Sequence, residues 1–162
     1  MKINSTKQPL IPEGWKIESH DTALGKIDLK DCTLYLSEKQ KNGYIKGIEL
    51  QKELKNPLNA TVLDYLLEHQ ELIPEEWNGK YVYFWGTVYR NPDDDLCVRC
   101  LSFDEGRWDW DYGWLGDDWY RSGPAVVLAS PLEPKSLETS LPLRVLALEE
   151  KMEKIQKFLI LD

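Results

Sequence analysis

Apolar residues in the first half of the chain recur at the spacing of short helices. A first helix is predicted over 48–55, where apolar positions alternate with Lys and Glu, and the pair Asn56-Pro57 ends it. A second helix is predicted over 59–69, because Asn59 favours the N-cap position and the apolar residues that follow form one stripe. Both helices need a partner surface on which to bury one face.

From residue 81 the period of the pattern changes to two, which is typical of strands. Segments 81–90 and 96–103 are rich in aromatic and β-branched residues, and the Asp-rich turn between them predicts a hairpin. A fully apolar run at 125–129 suits a central strand, and 32–36 is a further strand. This order predicts an α+β fold in which two short helices are followed by a twisted antiparallel sheet.

Composition divides the chain into four segments. Residues 1–14 are polar and are predicted to be an N-terminal arm, whereas 15–130 form the α+β domain. Three prolines make 131–142 a predicted linker. Residues 143–162 repeat apolar positions in steps of three and four, which predicts a C-terminal amphipathic helix. Because an isolated helix of this length is marginal in water, we expect a homo-oligomer through this helix, or docking onto the chain's own domain.

The chain of 162 residues has a net charge of −8 and a sequence pI near 4.9, which bears on its partners. A phosphate backbone or an anionic membrane surface repels such a protein, so we expect binding to neither nucleic acid nor a membrane. No apolar run of about 18 residues and no secretory signal occurs, which predicts a cytoplasmic protein. The three cysteines fit a reducing compartment, because an odd number leaves one thiol unpaired.

The sequence offers little apparatus for catalysis or for metal binding. Cys97 and Cys100 form a C-x-x-C motif, but both fall inside a predicted strand, where positions three apart face opposite ways. His69 ends the second predicted helix, where a histidine favours the helix C-terminus. No nucleophile elbow, zinc-protease motif, phosphate loop or dinucleotide fingerprint occurs. We therefore expect neither a cofactor nor an enzyme.

The strongest compositional feature is segment 91–123, where nine acidic residues accompany only three arginines. In the simplest interpretation its Trp residues are core and its acids form a solvated edge. Two alternatives are a binding surface on the acidic face of the strand, and a sugar-binding site in which aromatic rings stack on sugar rings. Along one predicted strand, Trp108, Trp110, Tyr112 and Trp114 share a face, and Asp109, Asp111 and Gly113 share the other.

Residues 106–119 and 124–130 resemble the variable region of target proteins of bacterial diversity-generating retroelements. The similar runs read Gly-Arg-Trp-Asp-Trp-Asp-Tyr-Gly-Trp-Leu, then Asp-Trp, then Pro-Ala-Val-Val-Leu-Ala-Ser. In that class, reverse transcription mutates template adenines, so Asn codons vary while the adenine-free Trp codon stays fixed. Upstream, 73–77 and 83–90 are similar to the constant part of those proteins. An AAC codon reaches every residue found at the eleven candidate positions, which are Asp109, Asp111, Tyr112, Gly113, Gly116, Asp117, Asp118, Tyr120, Arg121, Ser122 and Gly123.

The resemblance implies a C-type-lectin-like scaffold that displays the eleven candidate residues and binds a protein or other surface ligand without catalysis. The lectin calcium motif has no clear match in this chain, so calcium-dependent sugar binding is not implied. Tyr, Ser, Gly and Asp are typical of adaptable binding surfaces, and Tyr120 and Arg121 are natural anchors. Two alternative functions stay open. One is an acidic interaction protein that mimics nucleic-acid charge toward a basic partner, and the other is a carbohydrate-binding module.

Overall fold

The computed structural model describes residues 2–129, which contain three α-helices and eleven strands. The helices are α1 (Glu38–Lys41), α2 (Gly47–Glu53) and α3 (Ala60–Glu68). The strands before α2 are β1 (Ile3–Asn4), β2 (Lys16–His20), β3 (Lys26–Ile27), β4 (Cys32–Tyr35) and β5 (Tyr44–Lys46). Those after α3 are β6 (Val82–Tyr83), β7 (Thr87–Arg90), β8 (Leu96–Asp104), β9 (Arg107–Trp114), β10 (Asp118–Tyr120) and β11 (Ala125–Leu128).

A curled, mostly antiparallel sheet is organised around the long strand β8. One edge of β8 pairs with β9, from the Cys97–Trp114 pair to the Asp104–Arg107 pair. The other edge is shared, because β7 pairs with the start of β8 and β6 pairs with its second half. The sheet continues from β7 to β2, and from β6 through β11 to β4. The β6–β11 pair is parallel, and β1–β3 and β5–β10 form separate two-stranded sheets.

Two apolar clusters lie on the two faces of this sheet. The first joins helix α3 to Leu101 of β8 and Trp108 of β9. The second joins α2 and β5 to Val98 of β8 and Trp119 of β10. Leu101 and Val98 belong to different clusters because strand residues three apart point to opposite faces. We call the side of β8 and β9 toward α3 the aromatic face, and the opposite side the acidic face.

The α+β class and both predicted helices are confirmed. Helix α3 begins where Asn59 caps it, because the side-chain oxygen of Asn59 accepts hydrogen bonds from the N–H groups of Thr61 and Val62. The predicted hairpin is confirmed as β7 and β8, and the predicted strand at 32–36 is confirmed as β4. Helix α1 is not among the predicted elements; it is a single turn that the side chains of Ser37 and Gln40 close as a capping box.

The single strand predicted over 81–90 is wrong, because the structure breaks it into β6 and β7. Between them the chain leaves the strand ladder, and Gly86 is held by other backbone groups. Its N–H donates to Leu58 O at 2.9 Å, and its carbonyl accepts from the N–H of Asp21 at 2.8 Å. Phe84 and Trp85 lie within this break, and both are buried, Phe84 in the first cluster and Trp85 in the second. The alternating pattern continues through the break and does not reveal it.

The predicted N-terminal arm over 1–14 also needs correction. Ile3 pairs with Ile27 between β1 and β3, and both side chains are almost fully buried in the first cluster. The Ser5 hydroxyl donates to Gly25 O at 2.6 Å, which holds the same segment. The start of the chain is therefore part of the core, because one apolar residue in a polar stretch finds a partner strand.

The predicted linker at 131–142 and the predicted amphipathic helix at 143–162 lie outside the described residues. Within 2–129, no helix is both long enough and apolar enough to span a membrane.

Candidate functional site

On the aromatic face, β9 packs against a buried cation. Arg99 is fully buried, and its guanidinium carbon lies 4.4 Å from the centroid of the Trp110 ring. One guanidinium nitrogen donates to Asp64 Oδ1 at 3.0 Å, and another donates to Tyr89 Oη at 3.2 Å. Trp108, two residues before Trp110, is 8% exposed. The aromatic face of β9 near Trp108 and Trp110 therefore packs on the interior of the fold, as the sequence predicted.

Tyr112, a candidate binding residue, lies on the aromatic face and not on the acidic face. The ring of Trp15 makes edge contacts with Tyr112 at 5.0 Å and with Trp110 at 5.9 Å. The physical reason is the strand period, since residues 110 and 112 are two apart and must share a face. The candidate set combined residues from both faces, and Tyr112 is corrected to a half-buried packing residue.

Trp114 is a second departure from the expected burial. Its side chain is 43% exposed, although it shares the aromatic face with Trp108 and Trp110. Its described ring contact is with Tyr112, at 5.4 Å between centroids. The interpretation that the Trp residues of this segment are core is therefore wrong for Trp114, while Trp108 and Trp110 are more buried than the neighbouring acids Asp109 and Asp111.

The acidic face of β9 presents Asp109 and Asp111 to solvent. Each carboxylate accepts a hydrogen bond at 2.8 Å from the backbone N–H of the next residue. Asp111 lies opposite Cys100 of β8, and burial together with the charge of Asp111 raises the pKa of the Cys100 thiol to about 12. Burial also raises the pKa of the neighbouring Tyr83 phenol. The acids therefore lie above a neutral, buried layer.

Two candidate glycines, Gly113 of β9 and Gly123 after β10, both lie against the side chain of Tyr83. A Cβ atom added at Gly113 would lie 3.0 Å from Trp119 Cη2 and 3.1 Å from Tyr83 Oη. One added at Gly123 would lie 3.0 Å from Tyr83 Cε2. Gly123 is buried, so its assignment to an exposed surface is wrong. At both positions the ring of Tyr83 fills the space that a larger side chain would need.

Strand β10 holds its outward side chains above a buried Trp119. Trp119 is 5% exposed and packs against Tyr83 and Trp85, with ring centroids 4.4 Å and 4.8 Å away. Asp118 forms an ion pair with Lys46 of β5 at 2.9 Å, and this hydrogen bond raises the pKa of the Lys46 ammonium. Tyr120 is 55% exposed. The alternation of outward and inward side chains therefore holds in β10 too.

The segment after β10 borders an open cleft of about 600 Å³ whose other wall is the end of α1. Arg121 lines it and donates to Lys41 O at 2.6 Å. Gln40, which is buried, donates from Nε2 to the carbonyl oxygens of Tyr120 and Gly123, both at 3.1 Å. The sequence analysis missed Gln40, although the capping-box spacing Ser37-Glu38-Lys39-Gln40 could have indicated that its side chain is fixed.

The structure distributes the eleven candidate residues unevenly between surface and core. Tyr112, Gly113 and Asp118 are half-buried, and Gly123 is buried. The seven exposed candidates are Asp109, Asp111, Gly116, Asp117, Tyr120, Arg121 and Ser122.

The two cysteines of the C-x-x-C motif and His69 are packed against other parts of the fold. Cys97 and Cys100 are buried free thiols, and burial raises the pKa of Cys97 to about 11. His69 ends α3, and its ring lies 4.3 Å from that of Tyr65. Among residues 2–129, no group of three or more His, Cys, Asp or Glu side chains is placed to hold a metal ion.

No protein family, no curated protein and no solved structure compared with this chain matches it.

Proposed function

We propose that this chain is a ligand-binding display protein, of the kind that diversity-generating retroelements vary. In this proposal the outward side chains of 109–122 bind a protein or another surface ligand, and the protein performs no catalysis. One observation carries the proposal. Trp108 and Trp119 are 8% and 5% exposed, while the residues that follow them, Asp109 and Tyr120, are exposed. At these two places a buried residue with a fixed codon precedes an exposed residue of the reachable set.

The hydrogen bonds that hold segment 120–123 also support the proposal that its side chains are displayed to a ligand. Gln40 binds the carbonyl oxygens of Tyr120 and Gly123, and the N–H of Tyr81 donates to Ser122 O at 3.0 Å. These contacts use the backbone of 120–123 and not its side chains. A substitution at Tyr120 or Ser122 leaves the same acceptors in place, so the segment keeps its path while its surface changes.

The scaffold in this proposal is C-type-lectin-like. Helices α2 and α3 precede β6, β7, β8, β9 and β11 of the sheet, an order compatible with such a scaffold. The exposed candidates combine Asp, Gly, Tyr, Arg and Ser, a set in which Tyr and Arg supply anchors and the small residues adapt. The sugar-stacking alternative needs an open row of rings, whereas Trp108 is buried and Trp110 is half-buried.

The DNA that flanks the gene provides the sharpest test. We expect a reverse transcriptase gene nearby, and a second copy of the codons for 103–130 that differs only where the copy has adenine. At Asp109, Asp111 and Asp117 this copy should read AAC, while the codons of Trp108 and Trp119 should be identical in both copies. A flanking region without such a repeat, or a repeat that also differs at the Trp codons, contradicts the proposal.

A folding experiment tests the display property without knowledge of the ligand. A first library varies the seven exposed candidates among residues that AAC reaches, and a matched library places the same residues at Trp108, Leu115 and Trp119. Because surface substitutions usually change stability by about 0.5 kcal/mol or less, most members of the first library should resist protease as the parent does. The second library should be digested. Equal digestion of both libraries contradicts the proposal.

An acidic interaction protein is the second candidate function. The observation that favours it is a group of exposed acids outside the candidate set, at the two ends of β8: Asp93, Asp94, Asp95, Asp104 and Glu105. This function predicts binding to polylysine that weakens steeply with salt, and that is lost when these five acids become amides. A display protein should keep its specific ligand after the same change.

A further inference from the structure

An open cleft of about 500 Å³ lies where the β7–β8 turn, the end of β9 and the start of α2 meet. Leu96 and Leu115 lie side by side in it, because the N–H of Leu115 donates to Leu96 O at 2.9 Å. Trp114 and Ile48 also line the cleft, and they are 43% and 56% exposed. We call this site the Trp114 cleft. Of its apolar residues, Trp114 and Ile48 are exposed, whereas Leu96 is half-buried and Leu115 is buried.

The Trp114 ring is well placed to receive a ligand. The contact with Tyr112, at 5.4 Å and an interplanar angle of 76°, holds the indole edge-on to a second aromatic ring. The register of β9 against β8 fixes the backbone below it, since Trp114 is paired with Cys97. An indole held in this way offers its exposed part without a large loss of side-chain freedom on binding.

Carboxylates line the same cleft. Asp94 and Asp95 come from the β7–β8 turn, and Asp117 comes from the turn after β9. Within residues 2–129, Asp94 pairs with Arg90 at 3.4 Å, while the carboxylates of Asp95 and Asp117 form no ion pair. The cleft therefore combines an aromatic wall with two negative charges that no described cation neutralises.

The turn that holds Asp94 and Asp95 is ordered by a buried side chain. Asn91 is 8% exposed, and its Oδ1 accepts from the N–H groups of Asp93 at 3.0 Å and Asp95 at 2.9 Å. The backbone N–H of Asn91 donates to Asp95 O at 2.9 Å. The backbone that carries the acids is consequently ordered before any ligand arrives, which lowers the entropy cost of binding.

We propose that the Trp114 cleft binds the arginine side chain of a basic peptide segment on a partner protein. A guanidinium is planar and weakly hydrated, so it stacks on an indole face while its N–H groups donate to carboxylates. Asp95 and Asp117 supply those carboxylates, and Ile48 covers the aliphatic part of the side chain. Charge complementarity selects this occupant. The acidic cleft repels an acidic partner, and an apolar partner would leave the carboxylates of the cleft unpaired.

This inference goes beyond the proposed function. Trp114, Ile48, Asp94 and Asp95 are not among the eleven candidate residues. Asp117 is one of them, so diversification of 109–123 can remove one carboxylate of the cleft while its other residues stay. A chain without any neighbouring retroelement can still have this site, and a diversified chain can lack it. The two proposals therefore fail separately.

The test uses the full chain and a tetrapeptide of alternating arginine and glycine, acetylated and amidated at its ends. Isotope-labelled protein is titrated with this peptide, and the indole N–H resonance of Trp114 is followed after assignment with Trp114→Phe. We expect a saturable shift of this resonance and weak binding. The same peptide with citrulline in place of arginine keeps the shape without the charge, and its affinity should be about tenfold lower.

Matched variants separate recognition from general charge attraction. Asp95→Asn with Asp117→Asn should lower the affinity about tenfold, whereas Asp109→Asn with Asp111→Asn removes the same charge elsewhere and should change it less than about twofold. Trp114→Phe should keep most of the affinity, and Trp114→Ala should lose it. Thermal melts of each variant establish that it is folded. Equal affinity for the citrulline peptide, or equal losses in the two acid pairs, overturns the proposal.

Discussion

Trp110 and Trp114 lie on the same face of the same strand, yet they have different surroundings. Trp110 is half-buried between the guanidinium of Arg99 and the ring of Trp15, while Trp114 is 43% exposed beside an open cleft. The strand period determines which face a side chain shares, and the elements packed on that face determine whether it is covered. Helix α3 and the segment around Trp15 cover one end of the aromatic strand and leave the other end open.

The acidic face shows the same difference between its two ends. Asp109 and Asp111 face solvent, but Gly113, two residues further along, lies against Tyr83 and Trp119 of the second apolar cluster. The two faces of β9 therefore exchange roles along the strand. Near Trp108 the aromatic face is core, and near Gly113 the acidic face is covered instead.

Truncating the two Trp residues should separate the covered end from the open end most strongly. Trp110→Ala should lower the free energy of unfolding by about 3–5 kcal/mol, because it removes a large side chain and uncovers the buried guanidinium of Arg99. Trp114→Ala should cost about 1 kcal/mol, because much of that ring already faces solvent. Denaturant unfolding of both variants measures the difference. Equal losses would show that the two ends of the strand are equally packed.

Replacing the buried Arg99 should destabilise only the end of β9 that helix α3 and the segment around Trp15 cover. Arg99→Met leaves Asp64 without its cationic partner, although the Leu10 N–H still donates to it. The change should cost about 2–3 kcal/mol, less than for a fully buried pair, because the Asp64 side chain is 25% exposed. Adding Asp64→Asn should recover part of this loss, since no unpaired charge then remains. The loss that Asp64→Asn causes is measured once in the parent and once in the Arg99→Met variant. Equal losses would show that the two residues are not coupled.

The sequence predicts local features of this fold well, and it fails where distant segments decide. The helices, the Asn59 cap and the β7–β8 hairpin depend on neighbouring residues, and all are confirmed. The exposure of Trp114 and the burial of Gly123 depend on what packs there from elsewhere, such as Tyr83. The wrong prediction for Tyr112 has a different cause. The strand period already placed Tyr112 on the aromatic face, but it entered the candidate set because an AAC codon can mutate to a Tyr codon.

Two candidate glycines should differ in how much change they tolerate. Gly113→Ala should cost about 1–3 kcal/mol, because its Cβ must displace Tyr83 or Trp119 from a packed position. Gly116→Ala should change stability by about 0.5 kcal/mol or less, because nothing lies within 4 Å of its added Cβ. Thermal melts at one protein concentration compare the two. If Gly113→Ala melts like Gly116→Ala, position 113 belongs with the freely variable surface.

A small effect per residue is expected where three outward residues change together. Asp109→Ser, Asp117→Ser and Tyr120→Ser all introduce a residue that AAC reaches, and all three positions are exposed. The hydrogen bonds that hold 120–123 accept at backbone oxygens, so none of them depends on these side chains. The triple variant should therefore melt within a few degrees of the parent, since each change contributes about 0.5 kcal/mol or less. A triple variant that unfolds would mean that the outward residues stabilise the fold, and that they are not available for display.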